Sequence, residues 1–271
     1  MIGWFLGVGA AMGYLRYWAL FNKPFARTEG DYFFSAPPQR EAIAGLSYFA
    51  ASGFGTAFLV APPRCGASWL MRHVGRMHGL GDCATEVVLT TGLHHDCGDV
   101  AASLGQALAI HSNIEEPVTL EMVDLAIRAS EADGVHVLWM IDGLHPCTIT
   151  TARSLLASHG NLSVVLSVTP DEYCRFASLL GREAQTLRLD LDPLCVEETI
   201  SYLGHALADV GCRRTLFDDG AAVRLHELTG GAIADLSLAA EASLVIGARY
   251  GLPMITTPIV EASLESLTQA A

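Results

Sequence analysis

Two hydrophobic rhythms share this chain. Compact apolar runs at 57–61, 85–89, 135–141, 162–168 and 186–191 predict buried strands. Between them the apolar positions recur every three or four residues, which predicts helices: one through Trp69, Leu70, Met71 and Val74, then 100–111, 118–131 and 147–158. Strands alternating with helices of this length predict an α/β fold, a parallel sheet with crossover helices.

Beyond Pro193 the strand pattern stops, and helical patterns follow at 196–210, 218–228, 234–250 and 259–267. Ahead of the first strand lies an aromatic segment (Tyr14, Tyr17, Trp18, Phe21, Phe25, Tyr32, Phe33, Phe34) and a helical pattern at 39–51. The expected division is therefore an N-terminal segment with its helix at 1–52, an α/β domain at 53–191 and a small helical domain at 192–271. Residues 1–11 add no periodic pattern, so folding is expected to start at Met12, while the start of translation stays open between Met1 and Met12. The apolar stretch 2–15 lacks a preceding basic region and meets Arg16 well short of the ~20 residues of a membrane span.

Composition narrows the classes. Hydrophobic residues are 51% and charged residues 17% of the 271, a globular balance that excludes a disordered chain. Lys plus Arg number 16 against 29 Asp plus Glu, and the net charge of -13 disfavours binding to nucleic acid and to anionic membranes. The seven cysteines are scattered and never form a CxxC pair, as expected of reduced thiols in a cytoplasmic protein.

The first strand runs into Ala61-Pro-Pro-Arg-Cys-Gly66-Ala67-Ser68. A phosphate-binding loop reads G-x-x-x-x-G-K-[ST] between strand and helix: backbone N–H groups cradle the phosphates, lysine neutralises them and the hydroxyl ligates Mg²⁺. Here the spacing, the second glycine and Ser68 are kept, Ala61 replaces the first glycine and Ala67 replaces the lysine. An ordinary strand-to-helix turn would look the same. A second feature separates the two readings, because the strand Val135-His-Val-Leu-Trp-Met-Ile-Asp142 ends in a carboxylate placed to hold Mg²⁺. The residue after it, a water-activating glutamate in hydrolytic versions, is Gly143. Lys23 is the only lysine in the chain and lies far from the loop in sequence, and Arg64 offers a planar fork in place of a point charge.

From about Tyr17 onward the chain resembles the AAA-type ATPases of the general secretion pathway protein A family, through an ordered set of landmarks. Trp18-Ala-Leu-Phe-Asn-Lys-Pro24-Phe25 is similar to the family's "GL..xPF" segment, and Arg40-Glu41-Ala42 with Leu46 and Tyr48 to the helix that follows. Val165 to Pro170 resembles the fourth strand and its end, which puts Thr169 at a sensor-like position. Leu191-Asp-Pro193-Leu194-Cys-Val-Glu197-Glu198-Thr199 resembles "L.PLs.eET", Tyr202 and Leu207 keep "Yi.hRL", and Leu216-Phe217 to His226 resembles the next lid helix.

The resemblance implies a P-loop NTPase domain with a helical lid, and ATP or ADP with Mg²⁺ as cofactors. It places the nucleotide on Pro63, Arg64, Cys65, Gly66, Ala67, Ser68 and Trp69, with Ser68 and Asp142 at the metal. The departures fall on chemistry: Ala67 for the loop lysine, Gly143 for the catalytic glutamate, Ala234 for the second-sensor arginine and Ala206 for the "hRL" arginine. Each removes a charge that serves phosphoryl transfer. The implied protein is a degenerate module, binding nucleotide weakly or not at all and acting through protein partners or AAA paralogues in a secretion- or envelope-related assembly. The rivals are a slow Mg-ATP hydrolase using Arg64 or a neighbour's arginine, and a DNA-associated regulator, which the charge opposes.

Other residues carry milder expectations. His94-His95-Asp96 with Cys97 reads as an exposed polar loop before it reads as a metal cluster. His136 and His145 are expected to be buried or capping, Cys65 a buried filler in the loop, and Glu197 with Glu198 to serve a helix start.

Overall fold

The computed structural model describes residues 8–25, 33–52, 55–77, 80, 84–92, 96–110, 117–176 and 186–270. The chain forms two compact units: Pro37–Asp192, and Met1–Ala36 together with Pro193–Ala271. The N-terminal residues thus group with the helical unit and the helix from Pro37 with the α/β unit, where a single segment 1–52 was expected.

Helix α1 (Val8–Trp18) opens the helical unit. The α/β unit follows as α2 (Pro37–Ser52), β1 (Thr56–Val60), α3 (Ala67–Gly75), β2 (Thr85–Thr91), α4 (Cys97–Ala107), α5 (Leu120–Ala132), β3 (His136–Asp142), α6 (Pro146–Ser158), β4 (Leu162–Val168), α7 (Pro170–Phe176) and β5 (Thr186–Asp190). The helical unit resumes with α8 (Val196–Asp209), α9 (Asp219–Thr229), α10 (Ile233–Arg249) and α11 (Thr257–Ala270). Helix α1 begins ahead of Met12, so a helical segment precedes the expected start of folding. Among the described residues no helix is long and apolar enough to cross a membrane.

The five strands form one parallel sheet in the order β2-β3-β4-β1-β5. Strand β1, paired on both sides, is buried at all five positions, as the apolar run from Ala57 to Val60 requires of a strand covered on both faces. One core packs Phe58, Val88, Leu104, Ile127, Trp139, Ile149 and Val164 against the sheet. The indole N–H of Trp139 donates to Thr90 Oγ1 at 2.8 Å, which satisfies the one polar atom of that buried ring.

Local chemistry sets the helix starts. Asp96 accepts from the Asp99 N–H at 2.9 Å and opens α4 earlier than the apolar period indicated; His94 and His95 lie outside the described residues. Glu198 accepts from the Cys195 N–H at 2.8 Å, the capping role expected for the first turn of α8. His145 caps α6, its Nδ1 accepting from the Cys147 N–H. His136 is half-buried beside Ser163, with Nε2 2.9 Å from the hydroxyl.

In the helical unit the core joins Tyr14, Trp18, Leu20, Phe25 and Phe34 to Tyr202, Leu216, Phe217, Leu236 and Leu244. Trp18 donates from Nε1 to the Leu244 carbonyl at 2.9 Å, and Tyr14 donates its hydroxyl to Glu241. Ala206 is fully buried in this core, so an arginine there would bring an unpaired charge into apolar packing; Ala234 is buried as well, outside that cluster.

Candidate nucleotide-binding site

In a parallel sheet the C-terminal ends of the strands lie on one edge, and here β1, β3 and β4 end side by side. Val60 pairs with Val168, Asp142 pairs with Ser167, and the Ala61 N–H donates to the Val168 carbonyl at 3.0 Å. That edge receives the 61–66 loop, Asp142 and Thr169 together, the position where open α/β sheets bind ligands.

The loop is wound by two left-handed residues, Arg64 at φ 67° and Gly66 at φ 95°. Only these two of the residues from Ala61 to Ser68 have positive φ, an alternation of hand that curves the backbone into a nest, within which the Cys65 N–H is already given to the Pro62 carbonyl at 3.3 Å. Gly66 is also the N-cap of α3 and supplies no side-chain oxygen to its first turn. Trp69 and Leu70 donate to the Gly66 carbonyl at 3.0 and 2.9 Å, while Ala67 and Ser68 are the first-turn positions whose N–H groups have no intrahelical acceptor. A helix start without a side-chain cap, reached through a nest, is suited to an anion.

Ser68 donates its hydroxyl to Asp142 Oδ1 at 3.0 Å, bringing together two residues 74 apart in the chain. The pair is half-buried and directed to the loop edge, the hydroxyl-plus-carboxylate set that a hard divalent cation takes with water and phosphate. These residues fit a phosphate group and Mg²⁺ in donor type: Ser68 and Asp142 would hold the metal, and the loop with the start of α3 would hold the phosphates. Bound there, the metal would neutralise phosphate charge. Pro63 and Arg64 are exposed on the loop, Ala67 and Trp69 are half-buried, and Cys65 is buried under it, the filler role expected of it.

Three features were missing from the sequence reading. Gly143 has φ 91°, a conformation that costs a residue with a Cβ about 1–2 kcal/mol. Gly92, at the end of β2, lies so close to it that a Cβ at 92 would sit 1.9 Å from the Gly143 carbonyl oxygen, and the Gly92 N–H donates to the Asp142 carbonyl at 2.7 Å. The position after Asp142 is therefore built as a glycine clasp, with its backbone shaped for the absence of a side chain. Third, Thr169 is the cap of α7: its N–H and hydroxyl both donate to Glu172 Oε2, at 2.8 and 2.9 Å, and the Glu172 N–H returns to the Thr169 hydroxyl at 3.3 Å. The T-x-x-E spacing of 169–172 is a capping-box signal and was readable. The glycine clasp had no readable signal beyond an Asp-Gly turn.

No protein-family model matches the chain, and no curated protein does. Solved structures do share its fold. The ORC2 protein of Aeropyrum pernix, in ADPNP-ADP complexes, superposes with a TM-score of 0.67 at 12% identity, over 91% of this chain and 72% of that one. Cdc6p from Pyrobaculum aerophilum gives 0.67 at 13%, over 90% and 70%. RuvB, the Holliday junction branch migration motor of Thermotoga maritima, gives 0.53 at 15%, over 91% and 74%. At these identities the likeness establishes architecture: the chain has the fold of AAA-type P-loop ATPases, an α/β unit with a helical unit.

Proposed function

We propose that this chain is a degenerate AAA-type module that takes ATP or ADP with Mg²⁺ weakly at the 61–68 loop and works through protein contacts rather than turnover. The observation that carries the reading is the coexistence of an anion-ready loop with a reaction centre that lacks the loop lysine and the base after Asp142. The nest, the uncapped start of α3 and the Ser68–Asp142 pair are present, whereas Ala67 and Gly143 supply neither cation nor base. Binding needs donors in the ground state; turnover needs charge matched to the transition state, and that is the part removed. Pro63, Arg64, Cys65, Gly66, Ala67, Ser68 and Trp69 form the phosphate side, Ser68 with Asp142 the metal side, and Thr169 the sensor-like edge.

The net charge of -13 favours protein partners or AAA paralogues over nucleic acid and membrane, and a cytoplasmic place for the module. The ordered landmarks shared with the secretion family support a secretion- or envelope-related assembly. One experiment tests the core of this reading: titration with a fluorescent ATP analogue, with and without Mg²⁺, beside a turnover assay. Expected are weak, Mg²⁺-strengthened binding that Ser68→Ala reduces, and no turnover above background. Robust hydrolysis by the purified chain would establish the slow-enzyme alternative instead, and salt-dependent DNA binding the regulator one.

A further inference from the structure

We propose that the loop is a nucleoside-diphosphate site that discriminates against a third phosphate. This rests on the nucleotide-binding reading above and concerns which nucleotide the site prefers.

The attractive part of the site is backbone. The left-handed turn at Gly66 and the first turn of α3, with the N–H groups of Ala67 and Ser68, offer donors and the positive end of a helix dipole, a set that saturates on one or two phosphate groups. Beyond it, a terminal phosphate would meet the edge formed by Ala67, Asp142, Gly143, Thr169 and Glu172. None of these five is a cation. Ala67 ends in a methyl group where an ammonium would reach the terminal phosphates. Gly143 has no side chain and its backbone is held by Gly92.

Thr169 is the residue of this edge with a hydroxyl to give, and it is already spent. Its N–H and its hydroxyl converge on one oxygen of Glu172, so β4 ends in a filled donor set that carries a carboxylate. Asp142 is the second carboxylate, engaged by Ser68. Mg²⁺ held there would offset part of the charge of either nucleotide. The extra charge of the triphosphate would then face two carboxylates with no cation among the five residues of that edge to answer it, Arg64 being a residue of the loop instead, so the diphosphate is preferred.

The test is calorimetry on the full chain, freed of nucleotide, with Mg-ADP and with Mg²⁺ plus a non-hydrolysable ATP analogue. ADP is expected to bind about tenfold more tightly than the analogue, a free-energy difference of about 1.4 kcal/mol. Ala67→Lys is expected to strengthen the analogue more than ADP and so narrow or reverse the preference. Equal affinities, or tighter binding of the analogue by the unaltered chain, would overturn the diphosphate preference while leaving nucleotide binding in place. Binding of neither nucleotide would overturn the nucleotide-binding reading itself, and this one with it. A folded Ala67→Lys variant that gains equally for both would show that the missing ammonium is not the cause, and would overturn the assignment made here.

Discussion

In the α/β unit the deepest strand, β1, is buried along its whole length by neighbours it meets through regular parallel pairing, and four of its five residues, Ala57 to Val60, are one continuous apolar run. In the helical unit a dominant buried side chain, Trp18, reaches its hydrogen-bond acceptor across 226 residues of sequence, and it fits because α10 has Gly247 beside it. A Cβ at 247 would lie 3.1 Å from the Trp18 ring and 2.3 Å from Ile255. One unit is built on strand pairing in regular register, the other is completed by a single aromatic anchor from a distant segment. The comparison teaches where each is vulnerable: the sheet at its tight backbone approaches, the helical unit at its long-range aromatic anchor.

The largest effect is expected from the anchor. Trp18→Ala should cost about 3–5 kcal/mol, because a large ring and its hydrogen bond leave a cavity between α1 and α10. Hydrogen exchange should show the loss of protection in α1 and α10 with β1, β3 and β4 retained. If β1 loses protection equally, the two units unfold as one and the contrast between them fails.

Next comes the glycine clasp of the α/β unit. Gly92→Ala should destabilise by about 3 kcal/mol, since the new methyl meets backbone rather than a mobile side chain. Gly143→Glu should cost about 1–2 kcal/mol from its left-handed backbone alone. For the same reason, adding the glutamate together with Ala67→Lys should improve nucleotide binding through the lysine and add no hydrolysis. Urea melts of each variant and a turnover assay of the double variant check this; measurable turnover would show that the backbone at 143 still accepts a catalytic side chain.

Acidification should separate the units by sign, with a smaller effect. Burial lowers the pKa of His136 from the usual histidine value, so its contribution to stability is present above about pH 6.5 and is lost as pH falls below that. Burial raises the pKa of Glu241 above the usual carboxylate range, against the opposing pulls of the Tyr14 hydroxyl and Lys23. Its stabilising share is present at the acid end, near pH 4.3 and below, and is lost as pH rises through the raised value. Hydrogen exchange between pH 7 and 5 should therefore show the sheet around His136 weakening while the contact of α1 with α10 holds. His136→Gln should reduce the acid sensitivity of the sheet, and an unchanged profile would remove His136 as its source.

The smallest effect is expected from deleting Met1–Ala11, about 0.5 kcal/mol, because the anchoring side chains of α1, Tyr14 and Trp18, come later. Thermal melts of the shortened chain check it. Loss of cooperative unfolding would show that the first turn of α1 is needed for the helical unit to close.

What could be read from the sequence was whatever the chain records locally. Apolar runs located all five strands to within a residue or two, and loop spacing brought Ser68 and Asp142 into one candidate site before any contact between them was known. Side-chain charge was equally legible, since Ala67 and Gly143 lack it in any conformation. Tertiary structure decided the rest. The left-handed backbone at Arg64 and Gly143, the approach of Gly92 to the Asp142 turn, and the grouping of Trp18 with α10 depend on segments that are remote in sequence. Periodicity reports which face of an element is apolar; it holds no record of which distant backbone will press against that face, and steric exclusion at that contact sets both the hand of the turn and the size of the residue allowed there.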